Sequence, residues 1–138
     1  MMKLYLSGKY RLLYNETPIT GFRSDKVRAL LAYLVLAKGR PFTRTHLSHL
    51  LWADYLPSSA RASLRVALSN LRQVLAPMDD LLELDDQIVC FNHQSPQFWC
   101  DVLEDETLIN SPLFLLNLQH VSAIPFQAWR RQQAGESG

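Results

Sequence analysis

The chain has 138 residues, 48% of them hydrophobic, two cysteines and a formal net charge of +1. That length suffices for one domain with a real core, and the composition is that of an ordinary globular protein, not a disordered, fibrous or disulfide-stapled one. No apolar run is long enough to span a membrane, the first residues lack a signal-peptide pattern, and Cys90 and Cys100 have neither metal nor disulfide-framework spacing, so a reduced, cytoplasmic setting is expected.

Residues 4–8 (LYLSG) and 10–14 (YRLLY) are short β-leaning runs. Residues 15–18 read as a turn, and Ile19 with Thr20 as a brief third strand ended by Gly21. This predicts a small antiparallel sheet. Ser24 is placed to cap a helix with Asp25 in its first turn. Val27, Leu30, Leu31, Leu34 and Val35 then recur at helical spacing. Gly39 ends this helix, Pro41 prevents its continuation, and Lys26 and Arg28 read as solvated.

Thr43 caps a second helix over 44–52, with Leu47, Leu50 and Leu51 inward. Its N-terminus, with free N–H groups, Thr43 and Arg44, suits a phosphate; a capped surface helix reads equally well. His46 and His49 lie three apart, but no Cys or carboxylate nearby in sequence completes a metal site. They read as surface or DNA-facing residues.

Residues 53–57 link to a third helix, SSARASLRVALSNLRQVL, capped by Ser58 or Ser59 and ended before Pro77. At about 100° per residue, Ala60, Leu64, Ala67, Leu68, Leu71 and Leu75 form a core stripe. Arg61, Arg65, Ser69 and Arg72 lie together beside it, with no carboxylate among them. An all-donor helix face suits phosphates and base edges; three arginines on a helix also occur on an ordinary solvated surface.

Charge is unevenly distributed. Residues 1–78 hold 12 Lys or Arg against three carboxylates, and residues 79–110 hold nine carboxylates and no Lys or Arg. A basic block points to a polyanionic partner. Within the acidic block, residues 81–84 and 87–91 read as a β-hairpin turning at Asp85 and Asp86. Three helices followed by a two-stranded hairpin is the order of a winged helix-turn-helix, whose third helix enters the major groove. The expected class is therefore α+β: a small N-terminal sheet, three helices, a hairpin wing and a short, partly helical tail.

Residues 26–75 carry Lys26, RALLAYL at 28–34, Arg44, Leu47, Leu50, Leu51 and Trp52, then Ala60, Leu64, Arg65, Ala67, Leu68, Ser69, Leu71 and Arg72. This pattern resembles the DNA-binding domain of SARP-type transcriptional activators, the antibiotic regulatory protein class, whose N-terminal half is an OmpR-type winged helix. The resemblance covers residues 3 to about 91 and also accounts for the N-terminal strands. It implies a bacterial transcription factor that binds direct repeats of double-stranded DNA, as a homodimer, upstream of a promoter. By position the implied DNA contacts are Thr43, Arg44, Ser58, Arg61, Arg65, Ser69, Asn70 and Arg72. Arg65 and Asn70 are the choices for base edges, since Arg reads guanine and Asn adenine; Arg72 reads either as a contact or as a bond across to the sheet. Ala53, Asp54, Tyr55 and Leu56 match the loop that touches RNA polymerase in OmpR-type activators, with Trp52 in the core.

Two departures from the pattern stand out. A wing tip approaching phosphate should be basic or neutral, yet Asp85 and Asp86 are acidic, which predicts a short, displaced or unused wing. SARP-type proteins also continue into a helical bacterial transcriptional activator domain, whereas this chain is expected to stop before or within it. The division expected is 1–95 for the winged helix and 96–138 for an acidic then aromatic tail, with 135–138 a terminal extension. About 38 residues cannot bury a second core, so the tail should pack on the winged helix or need a partner. Its acidic stretch, 101–106, is a candidate to fold over the basic helix and mask it.

No glycine-rich phosphate loop, strained Ser nucleophile or Cys with an adjacent His occurs, so an enzyme is not expected, nor is a cofactor or metal. Two function classes remain. One is a sequence-specific DNA-binding regulator; the other is a winged helix whose DNA face serves a protein partner or is masked by acidic residues.

Overall fold

The computed structural model describes residues 1–135. Residues 136–138, part of the expected terminal extension, lie outside the described residues. The strands Met2–Tyr5 (β1) and Arg11–Tyr14 (β2) pair antiparallel, and Thr17–Pro18 (β3) continues the sheet. The third strand thus comes earlier than Ile19, because Asn15 and Glu16 alone make the turn. Both have positive φ, 49° and 68°, the conformation that joins strands in a two-residue hairpin. Two side-chain contacts hold that conformation. The N-terminal ammonium donates to Asn15 Oδ1 at 2.8 Å, and Lys3 pairs with Glu16 at 2.7 Å.

Asp25–Leu36 (α1) is buried along nearly its whole length, from Val27 through Val35 except Arg28. Ser24 stands at its N-cap without making a side-chain cap bond, and Asp25 instead binds Arg28 and His120, at 2.8 and 2.6 Å. Arg44–Trp52 (α2) follows, with Thr43 Oγ1 accepting from His46 N at 3.1 Å. The third helix, Pro57–Val74 (α3), starts at the proline, with Leu56 at the cap and no side-chain cap. Ser58 and Ser59 are therefore inside the helix and do not cap it. Proline at the first helical position supplies the start, since its fixed φ fits a helix and its missing N–H would be unpaired there anyway.

Phe42–Thr43 (β4), Leu82–Leu84 (β5) and Ile88–Phe91 (β6) form a second sheet in the order β4, β6, β5. The hairpin is the expected wing, and β4 ties it to the start of α2 through Phe42 opposite Val89. Three helices and this wing make the fold a winged helix.

The division at 95/96 cuts through this core. Phe98–Cys100 (β7) lies parallel to β1, with Met2 opposite Phe98 and Leu4 opposite Cys100, so the first sheet runs β3, β2, β1, β7. Asp101–Glu104 (α4) is a single turn whose Asp101 carboxylate accepts from the Leu6 and Ser7 N–H groups, at 2.9 and 3.1 Å. The chain then crosses to Ile124–Gln133 (α5), which packs against α2. Phe114, Leu118 and Phe126 are buried in the same core as Leu30, Leu47 and Leu64, and the Trp129 ring sits 4.8 Å from that of Tyr33. The tail's aromatics leave water by joining the winged helix's core, the choice available to a segment too short for its own. Burial also pushes the Cys100 thiol up to about 12, which keeps it an unreactive thiol.

The acidic stretch does not mask α3. Asp101 binds residues 6 and 7, Asp105 caps Thr107 at 3.1 Å, and Glu106 pairs with Lys38 at 2.7 Å. These partners are on β1's exit, the stretch's own chain and the end of α1.

Candidate nucleic-acid interface

The core stripe of α3 consists of Ala60, Leu64, Ala67, Leu68, Leu71 and Val74. The opposite arc is exposed and carries Ser58, Arg61, Ala62, Arg65, Ser69, Arg72 and Gln73. Among the described residues, Arg61, Arg65 and Arg72 take part in no ion pair or side-chain hydrogen bond. Their guanidinium groups are open to a ligand, and Arg72 makes no bond across to the sheet.

Two depressions flank this ridge. One, of about 670 Å³, is lined by Thr43, Arg44 and Thr45 from the start of α2, Arg61 and Arg65 from α3, and Asp86 and Gln87 from the wing. The other, of about 440 Å³, is lined by Arg23, Ser24 and Val27 beside Trp52, Ala62 and Val66. A protruding helix with a trough on either side is the shape that admits a major groove between its two phosphate walls.

The wing's acidic tip is partly neutralised from within. Asp85 turns its carboxylate back to accept from the N–H groups of Gln87 and Ile88, both at 2.8 Å. These backbone bonds hold its carboxyl below the usual carboxylate range. Arg44 clasps the same turn, donating Nε to the Asp85 carbonyl at 2.9 Å and its backbone N–H to the Gln87 carbonyl at 2.9 Å. Of the N–H groups expected to serve a phosphate at the start of α2, Arg44's is thus used by the wing and His46's by Thr43. The remaining donors on this side are mainly side chains. The wing is short and held against α2; Glu83, Asp85 and Asp86 are all exposed on it, and Asp86 lines the depression with Arg61 and Arg65.

Asn70 is not at the interface. It is 4% exposed, its Oδ1 accepts from Arg23 N at 2.9 Å, and its Nδ2 donates to Gly21 O at 2.9 Å. Both halves of the amide are used in pinning the segment before α1 to α3, so no edge is left for adenine. Asn70 thereby fixes the backbone of Arg23, an exposed cation in the second depression that sequence reading missed. The available signal was angular: Asn70 falls about 180° from Arg61 around the helix, far from Arg65 and Arg72.

Ala53, Asp54, Tyr55 and Leu56 are all exposed, Leu56 at 74%. Trp52 is buried, as expected. Lys26, expected to be solvated, lies with Nζ 5.5 Å from the Trp52 ring and 4.9 Å from the Tyr55 ring. That contact holds the loop to α1, and partial burial lowers the lysine's pKa. A cavity of about 360 Å³ separates Ala53 and Asp54 from residues 121–125 and Arg131, so the tail borders this loop too. His46 accepts or donates at 2.7 Å to Tyr33 Oη and stacks on Phe42. Among the described residues no group of three His, Cys, Asp or Glu could hold a metal, and no helix is long and apolar enough to cross a membrane.

Comparison with known proteins points the same way. Residues 23–84 match the family described as transcriptional regulatory protein, C terminal. The chain is 39% identical over 70 residues to transcriptional regulatory protein EmbR of Mycobacterium tuberculosis, covering 51% of this chain and 18% of that protein. It is 47% identical over 62 residues to regulatory protein AfsR of Streptomyces coelicolor, covering 45% of this chain and 6% of that protein. The matched segment therefore spans less than a fifth of either relative's length. Segment, fold and motif agree: residues 23–84 match this transcriptional regulatory family and fold as an OmpR-type winged helix, and over that segment the chain is similar to two SARP-type regulators.

Proposed function

We propose that this chain binds DNA sequence-specifically, with α3 in the major groove and its flanking depressions against the two phosphate walls, and so regulates transcription. The observation that carries the reading is the ridge of α3 with Arg61, Arg65 and Arg72 unpaired among the described residues. Arg65 is assigned to a base edge, Ser58, Ser69 and Arg72 to the groove, and Thr43, Arg44, Arg61 and Arg23 to phosphates. Binding to direct repeats as a dimer, and contact of residues 53–56 with RNA polymerase, belong to the same reading. The setting is the cytoplasm, where such DNA is found.

The test is selection of bound sequences from a random DNA pool, with affinity followed against salt. A short enriched motif and a steep loss of affinity with rising salt are expected. Arg65→Ala should then cost about 1–3 kcal/mol and relax one position of the motif. No enrichment and salt-independent affinity would overturn the reading. They would favour a protein-binding winged helix, for which the specific observation is Asp86, a carboxylate standing where a phosphate wall would pass.

A further inference from the structure

The exposed arc of α3 has two chemically different halves. Around the helix at about 100° per residue, Arg61, Arg72 and Arg65 occupy one side, and Val66 stands on the other beyond Ala62, with the exposed Gln73 at a similar angle about two turns further along. Ser69 and Ala62 lie at the crest between them, opposite the buried stripe. Short side chains at the crest let the helix backbone come close to whatever it meets. Val66 is 47% exposed and is the one large apolar side chain that α3 leaves in water. Valine is also a poorer helix former than the alanines beside it, because its branched side chain loses χ1 freedom. Neither helix stability nor core packing accounts for valine at this position.

We infer that Val66, with Ala62, is the apolar half of the reading surface and packs against the 5-methyl group of a thymine. The inference rests on the DNA-binding reading above and goes beyond it by naming a base and the atom recognised. In the major groove the thymine methyl is the apolar feature that separates an A·T pair from the others, and small apolar side chains are its natural contacts. The geometry supplies such a contact next to the hydrogen-bonding half. Arg65 reads a hydrogen-bonding edge, and Val66, about 100° further round, reaches a different base step. The second depression beside Val66 is lined by Val27 and Ala62 but also by Arg23, Ser24 and Ser63, so the valine stands where the base-facing arc meets the side assigned to phosphate.

The experiment uses the full chain and the duplex recovered by selection. Each thymine of the motif is replaced in turn by deoxyuridine, which removes only the methyl group, and affinity is measured by fluorescence anisotropy. One replacement should weaken binding about fourfold, the factor that corresponds to one buried methyl group. In Val66→Ala, which favours the helix and so folds, that penalty should shrink towards unity; in Val66→Thr, which keeps a methyl, it should persist. Specific binding with no deoxyuridine penalty at any position, or a penalty unchanged in Val66→Ala, would overturn the inference while leaving the DNA reading intact. Absence of any salt-dependent DNA binding would overturn both.

Discussion

Replacing Asn70 separates a positioning role from a base-reading one. In Asn70→Ala the Arg23 N–H and the Gly21 carbonyl each lose a 2.9 Å partner across 47 and 49 residues of chain. Each net hydrogen bond is worth about 0.5–1.5 kcal/mol, more where water cannot replace it. Gly21 and Arg23 are exposed, so water can reach part of the site, and alanine's better helix propensity returns about half a kcal/mol. The balance is a loss of about 0.5–2.5 kcal/mol, or roughly 2–9 °C in Tm for a domain of this size. Asn70→Asp keeps the acceptor for Arg23 but sets a carboxylate oxygen against the Gly21 carbonyl, and should be at least as damaging. Thermal and urea unfolding measure the loss, and selection of bound sequences shows whether preference changes. Both variants should bind DNA more weakly with an unaltered motif, because they loosen the Arg23 segment and not a base contact. A variant of wild-type Tm whose preference at one adenine position is relaxed would refute the assignment.

Phe126→Ala, at a fully buried position of α5, should lower stability by about 3–5 kcal/mol in a single unfolding transition; an unaltered main transition would mean that the tail is a separate unit. Asp86→Asn removes the exposed carboxylate from the first depression and should tighten DNA binding about threefold at low salt, with the gain fading as salt rises; equal affinity at low salt would remove Asp86 from the interface. Burial, and then the charges of Arg40 and His49, hold the His46 pKa below its ordinary 6.5. The folded state therefore takes up the proton less readily than the unfolded one, and stability present above about pH 6.5 should be lost as pH falls. Unfolding between pH 7.5 and 5 should show a steeper loss for the wild type than for His46→Gln, which keeps an acceptor for the Tyr33 hydroxyl; parallel curves would show that His46 contributes nothing.

What sequence made legible follows the range of the interactions. The helices are local, so the spacing of Val27, Leu30, Leu31 and Leu34 and the cap at Thr43 gave their positions closely. The arginines of α3 were legible because helical geometry alone separates them from the leucines. Strand β7 was not, since it is three residues long and its pairing with β1 spans the chain. Nor could sequence show that Asp85 would satisfy its own turn, or that Arg44 would use its Nε on the wing. Asn70 was misread because residue type was given more weight than angle.

The parallel pairing of Met2 with Phe98 also sets an order of assembly during synthesis. A nascent chain that has reached Phe91 contains all three helices and the wing, yet one edge of β1 still presents unpaired backbone groups. Those groups wait until residues 98–100 have left the ribosome and Asp101 has closed over Leu6 and Ser7. Closing so long a loop costs only slightly more than closing a short one, but it comes late and slows folding. The basic helix is thus made well before the sheet that steadies it is complete, and residues 98–101 decide when that sheet is finished.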